Sequence, residues 1–147
     1  MSEATLTLQR ADEHTIAYVE RLLEANDLPA TDVRAKPDCF FIGYDGDDRI
    51  GIGGIEQYGT EGLLRSVIVE RSARGTGRGS ALCDALEARA RKDGVRKFYL
   101  LTTTAAEFFE NRGYVEIERT TTPASIRRTT EFEDLCPTSA TCMTNSL

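Results

Sequence analysis

Long apolar runs are missing from this chain of 147 residues, and none approaches the roughly 20 residues that a membrane-spanning helix requires. No membrane partner is therefore expected. Lysine is scarce too: the chain has only three lysines among 18 basic residues, and its formal net charge is −6. So acidic a protein lacks the basic face that nonspecific binding to nucleic acid needs, and no nucleic-acid partner is expected. The N-terminus, MSEATLTLQRADEH, lacks the basic end and apolar core of a secretion signal, which makes a cytoplasmic location the expectation. The four cysteines, Cys39, Cys83, Cys136 and Cys142, contain no C-x-x-C pair, and the single histidine, His14, lies far from them in sequence. That pattern predicts free thiols and no metal site. Internal repeats and low-complexity linkers are absent as well, so one domain over residues 1–147 is expected.

What is present is a series of short elements separated by turn signals. Leu6, Leu8 and Arg10 alternate as a strand. Asp12 can cap a helix whose apolar positions Ile16, Val19, Leu22 and Leu23 recur at helical spacing. A short helix after Thr31 should end before Pro37. Three strands follow at 39–44, 50–58 and 63–69, the second weakened by Gly51, Gly53 and Gly54. Their connections are too short for a crossover, so they form an antiparallel meander. A helix over 80–93, stopped by Gly94, leads to a strand at 98–101, which must run parallel to the strand before the helix. Thr104 is placed to cap a short helix at 105–111 that Gly113 ends. A strand at 114–119, a late helix starting at Thr122-Pro123 and a last strand at 140–144 complete the chain. The class is α+β: a mixed central sheet of six to seven strands flanked by helices.

One segment carries most of the chemical information. Residues 63–79, LLRSVIVERSARGTGRG, run from a strand through a glycine-rich loop into a helix. A helix N-terminus presents unpaired backbone N–H groups and a partial positive charge, a good match for a pyrophosphate. Gly75, Gly77 and Gly79 let the backbone approach an anion closely, and Arg74 and Arg78 can add charge-assisted hydrogen bonds. From Leu63 to Ser80 there are four arginines (Arg65, Arg71, Arg74, Arg78) against the single acid Glu70, a local basic patch on an acidic protein. The P-loop pattern is absent, and Gly75-x-Gly77-x-Gly79 is not the dinucleotide fingerprint G-x-G-x-x-G.

Arg74-Gly75-Thr76-Gly77-Arg78-Gly79 resembles the [QR]-x-x-G-x-[GA] motif of the GNAT acyltransferase superfamily, with Val67–Val69 similar to the strand that precedes it. A second block, Ala105-Ala106-Glu107-Phe108-Phe109-Glu110-Asn111-Arg112-Gly113-Tyr114, is similar to the family's A-x-x-F-Y-x-x-x-G-F segment. The resemblance implies acetyl-CoA as acyl donor. Val67, Ile68 and Val69 would hold the pantetheine arm and supply an oxyanion-stabilising amide, and residues Arg74, Gly75, Thr76, Gly77, Arg78, Gly79 and Ser80 would take the pyrophosphate. It also implies direct attack by the amine of an acceptor, with no covalent enzyme intermediate.

Three further side chains are candidates for the acceptor end. Glu56, on the strand beside the proposed pantetheine strand, could act as general base, directly or through water. Arg65 could hold a carboxylate-bearing acceptor, and Thr102 sits where its strand ends and the sheet opens. The family's usual proton donor to the departing thiolate is a tyrosine at the position occupied here by Phe109, which leaves water or Tyr99 as a substitute.

The stretch from Glu131 to Met143, with Leu64-Arg65-Ser66-Val67 and Thr104–Phe109, resembles a narrower subgroup associated with arsenic-resistance operons and amino-acid-type N-acetyl transfer. The partner implied is a small-molecule amine. Cys136 and Cys142 raise the further idea of a dithiolate site for trivalent arsenic, against simple packing in the late helix and final strand. A noncatalytic acyl-CoA-binding module is the alternative reading of the whole chain. A homodimer would cover the edges that an open sheet leaves.

Overall fold

The computed structural model describes residues 6–28, 30–31, 33–73, 75, 77–129, 132–133 and 139–147. Its elements are β1 (Thr7–Arg10), α1 (Ile16–Ala25), β2 (Phe40–Asp45), β3 (Asp48–Tyr58), β4 (Glu61–Val69), α2 (Arg78–Lys92), β5 (Lys97–Thr102), α3 (Ala106–Glu110), β6 (Val115–Glu116), α4 (Ala124–Arg127) and β7 (Thr141–Ser146). The seven strands form one mixed sheet in the order β1-β2-β3-β4-β5-β7-β6. β1 and β2 pair antiparallel, as do β2 and β3. β4 and β5 pair parallel, matching Glu61 with Lys97 and Leu63 with Tyr99, which is the expected result of a crossover through a helix. β7 then pairs antiparallel with both β5 and β6.

The chain divides into two compact units, residues 1–55 with 66–89 and residues 56–65 with 90–147. In the first, the apolar stripe of α1 (Ile16, Val19, Leu22, Leu23) packs with Phe40, Ile42, Ile52 and Ile68. In the second, Leu63, Tyr99, Ile126, Phe132 and Cys142 form the core, with Tyr58, Leu101 and Ile117 packed against it.

Helix ends follow local chemistry. The Asp12 carboxylate accepts hydrogen bonds from the backbone N–H groups of His14 (2.9 Å) and Thr15 (3.1 Å), while the Asp12 N–H donates to the Thr15 hydroxyl (2.8 Å). The regular helix begins one turn later, at Ile16. Those hydrogen bonds hold Asp12 below the ordinary carboxylate range, the one to the His14 amide contributing most. Three helices stop alike, with a left-handed residue and an amide bonded five residues back: Asp27 with Leu28 to Leu23, Gly94 with Val95 to Ala90, and Gly113 with Tyr114 to Phe109.

Several expectations change. β3 runs unbroken through its glycines for eleven residues, the longest strand among the described residues. A Cβ at Gly53 would sit 2.4 Å from Leu86 Cδ1, and one at Gly51 would sit 2.2 Å from the Ile68 carbonyl oxygen. Close approach of α2 and β4 is what these positions serve. The short helix expected after Thr31 is present, as one 3-10 turn at Val33–Ala35 that ends before Pro37. Thr104 does not cap α3: the cap position is Ala105, whose N–H bonds to the Thr102 hydroxyl at 3.0 Å. The strand expected at 114–119 shrinks to Val115–Glu116. The chain then turns, and the hydroxyls of Thr121 and Thr122 donate to the carbonyls of Glu118 and Arg119, competing with strand pairing.

Candidate functional site

The glycine-rich loop belongs to the first unit. β4 delivers Val67, Ile68 and Val69; Ile68 is buried, and its two neighbours are half-buried. The Glu70 N–H closes the strand by bonding to the Ile50 carbonyl at 2.8 Å, and the Glu70 carboxylate accepts the Tyr18 hydroxyl at 2.6 Å. Burial first, and the Glu70 carboxylate second, push the Tyr18 hydroxyl well above the ordinary tyrosine range. The Arg49 guanidinium lies 4.5 Å from the centre of the Tyr18 ring. The exit of the strand is thus pinned by main chain and side chain together.

Beyond it, Gly75 and Gly77 take φ of 80° and 78°, and a Cβ at either would meet nothing within 4 Å among the described residues. Glycine is required there by the backbone turn and not by crowding. The open space over both residues is what a phosphate group would need. α2 starts at Arg78, with no acidic side chain in its first turn to oppose an anion. Gly79 and Ser80 lie in that turn; Gly79 is half-buried and Ser80 exposed. Arg74 and Thr76 lie outside the described residues.

The basic patch read from the sequence is smaller than its arginine count. Arg78 is ion-paired with Asp45 at the end of β2, and the Arg65 guanidinium is paired with Glu56. Arg71 is exposed.

The acceptor-end candidates belong to the second unit. Glu56 was expected as a strand carboxylate exposed to solvent or to a cleft. Its side chain is 3% exposed, its Oε2 accepts from Arg65 at 3.0 Å, and its Oε1 accepts the Tyr58 hydroxyl at 2.6 Å. The Arg65 side chain is wholly buried. The next residue, Ser66, has φ of 59° in the middle of β4. Such a left-handed serine costs roughly 1–2 kcal/mol and persists only where its surroundings impose it.

Thr102 is half-buried at the end of β5, where its hydroxyl oxygen accepts the Ala105 amide and its proton is left to donate. Phe109 is buried, with edge-on contacts to Phe108 (5.1 Å between ring centres) and Tyr114 (5.3 Å). Tyr99 is a core residue whose hydroxyl is raised above the ordinary range, chiefly by burial, so it holds its proton more firmly than a free tyrosine. Cys142 is buried in β7, and burial pushes its thiol up to about 11. Cys136 lies outside the described residues. Among the described residues no cluster of three or more His, Cys, Asp or Glu side chains is placed to hold a metal ion. No helix among them is long and apolar enough to cross a membrane.

Tyr58 and Asp45 are the partners that sequence reading missed. Glu56-x-Tyr58 places two polar side chains on one face of a strand, which was a legible signal. Asp45 gave none.

Residues 36–116, more than half of the chain, match the family described as an acetyltransferase (GNAT) domain. The chain belongs to the GNAT acetyltransferase family. It is 34% identical over 65 residues to an amino-acid acetyltransferase of Haemophilus ducreyi, covering 44% of this chain and 15% of that protein. It is 29% identical over 72 residues to the amino-acid acetyltransferase of Salmonella typhi, covering 49% and 16%. The match therefore spans only a small part of these curated relatives. The fold is that of N-acetylglutamate synthase from Neisseria gonorrhoeae, solved with coenzyme A and N-acetyl-glutamate: TM-score 0.83, 18% identity, 99% of this chain and 36% of that one. Rv2747 from Mycobacterium tuberculosis, solved with CoA, gives a TM-score of 0.77 at 22% identity, covering 96% and 99%.

Proposed function

We propose that this GNAT chain transfers the acetyl group of acetyl-CoA to the primary amine of a small, amino-acid-like acceptor. The observation that carries the reading is the pair of left-handed glycines, Gly75 and Gly77, open on their Cβ side and leading into an acid-free helix N-terminus directly after β4. Bare amides at that point suit a pyrophosphate. Coenzyme A in the solved relatives and the amino-acid acetyltransferase names of the curated ones support the choice of donor and acceptor class. The likeness to the arsenic-resistance subgroup supports an acceptor of the same kind.

In the reaction the acceptor nitrogen adds to the thioester carbonyl carbon, the C–N bond forms, and the C–S bond breaks. The nitrogen gives its proton to water and the departing thiolate gains one. This chain's part is to hold the donor along Val67–Val69, to place a β4 amide against the transient oxyanion, and to fix the diphosphate at Gly75–Ser80. Thr102 is the proposed acceptor contact, through its remaining hydroxyl proton. Phe109 can donate no proton, so the thiolate takes its proton from water.

The test is thiol release from acetyl-CoA over a panel of amino acids and their decarboxylated amines. Turnover that favours the amino acids is expected. Binding of CoA with no thiol release on any amine would favour a noncatalytic binding module instead, a reading that Phe109 at the donor position keeps in play.

A further inference from the structure

Ser66 has its left-handed backbone between two buried residues of β4. On one side is Ile68, 5% exposed, whose carbonyl lies so close to Gly51 that no Cβ fits there. On the other is Arg65, whose guanidinium is buried against Glu56. This second anchor has three members. Glu56 gives one oxygen to Arg65 at 3.0 Å and the other to the Tyr58 hydroxyl at 2.6 Å, so rotating the carboxylate loses one bond or both.

Such a network is a poor way to gain stability, because well-packed apolar side chains of the same volume commonly do as well or better. What it supplies is a fixed geometry at one point on β4, immediately before the one residue of that strand with positive φ. Both oxygens of Glu56 accept hydrogen bonds from protein groups, so Arg65 and Tyr58 together fix the orientation of its carboxylate.

We propose that Tyr58, Glu56 and Arg65 are positioning residues: they clamp β4 ahead of Ser66, keep Ser66 left-handed, and thereby set the direction of the Val67 amide. The last step rests on the reading of Val67–Val69 as the donor-binding strand; the clamp itself does not. Glu56 then acts through the main chain. Tyr58 becomes part of the machinery although it touches no reactant.

The test uses the full-length protein with Tyr58→Phe and Glu56→Gln, each checked for folding by circular dichroism. The first readout is the Ser66 Cα and Cβ chemical shifts, which report φ directly. They should be left-handed in the wild type and lose that character in both variants. The second readout is thiol release: kcat should fall on the order of tenfold or more while the KM for acetyl-CoA changes little. Adding Ser66→Gly to Tyr58→Phe should restore most of the rate, because glycine adopts positive φ unaided, and Ser66→Ala should not. Unchanged Ser66 shifts in both variants would overturn the clamp, as would a rate loss that Ser66→Gly leaves untouched. If the wild type releases no thiol with any amine, the transferase reading fails, and the Ser66 spectra still decide the clamp.

Discussion

The loop after β4 and the hairpin before it are ordered in opposite ways. After β4, two left-handed glycines, Gly75 and Gly77, stand with nothing near their Cβ positions among the described residues, and a helix begins without an acid in its first turn. At residues 56–65 the chain buries an acid, a base and a tyrosine hydroxyl in one network. The first arrangement is made by neighbours in sequence and offers main-chain groups to a ligand. The second is made by residues on two strands and turns its polar groups on one another. A main-chain site can thus be built from local signals, while a buried polar network needs residues from two strands.

That difference can be broken by substitution. The largest effect should come from Arg65→Met, which removes a buried guanidinium paired with the buried Glu56 carboxylate. A loss of about 3–5 kcal/mol in denaturant unfolding is expected. Adding Glu56→Leu should recover most of that stability and leave coenzyme A binding intact, giving a protein that is stable but slow. Next is Gly51→Ala, whose Cβ would press on the backbone oxygen of Ile68 at 2.2 Å. The cost should be about 3 kcal/mol, with weaker coenzyme A binding because β4 itself must shift. A normal affinity in this variant would separate β4 from the ligand.

Gly77→Ala has open space and only its φ of 78° against it. It should cost roughly 1–2 kcal/mol in stability and about tenfold in coenzyme A affinity by calorimetry. Asp45→Asn should act still more gently. It frees Arg78 from a half-exposed ion pair, so stability should move by less than about 1 kcal/mol while coenzyme A binds a few-fold tighter. The smallest change concerns Cys142. With its thiol pushed up to about 11 it stays protonated, and so unreactive, at neutral pH, and becomes a thiolate only as the pH nears that value. Mass spectrometry after alkylation at pH 8 should find it unlabelled in the folded protein and labelled after unfolding.

How much of this was readable in the sequence follows the same division. The parallel step from β4 through α2 to β5 was legible because a short turn on one side and a helix on the other fix strand direction. The stops at Gly94 and Gly113 were legible because each is a single residue after a helical run. The packing reason for the glycines of β3 was not legible, since it lies with Leu86 and the Ile68 carbonyl, both distant in sequence. Glu56 and Arg65 were each singled out, but as separate side chains facing a ligand. Burial brings them together, and no spacing rule shows burial of two charges in advance. Asp45, among several acids at a turn, carried no mark that it would hold Arg78.

The central claim is that the main chain from Val67 to Ser80 receives the donor, and a titration of the 15N-labelled protein with coenzyme A tests it most directly. The amides of Val67–Val69 and of Gly75, Gly77, Gly79 and Ser80 should show the largest, saturable shifts, with the same dissociation constant at each. Saturable binding that leaves those amides in place and moves others, or no binding at all, would contradict it.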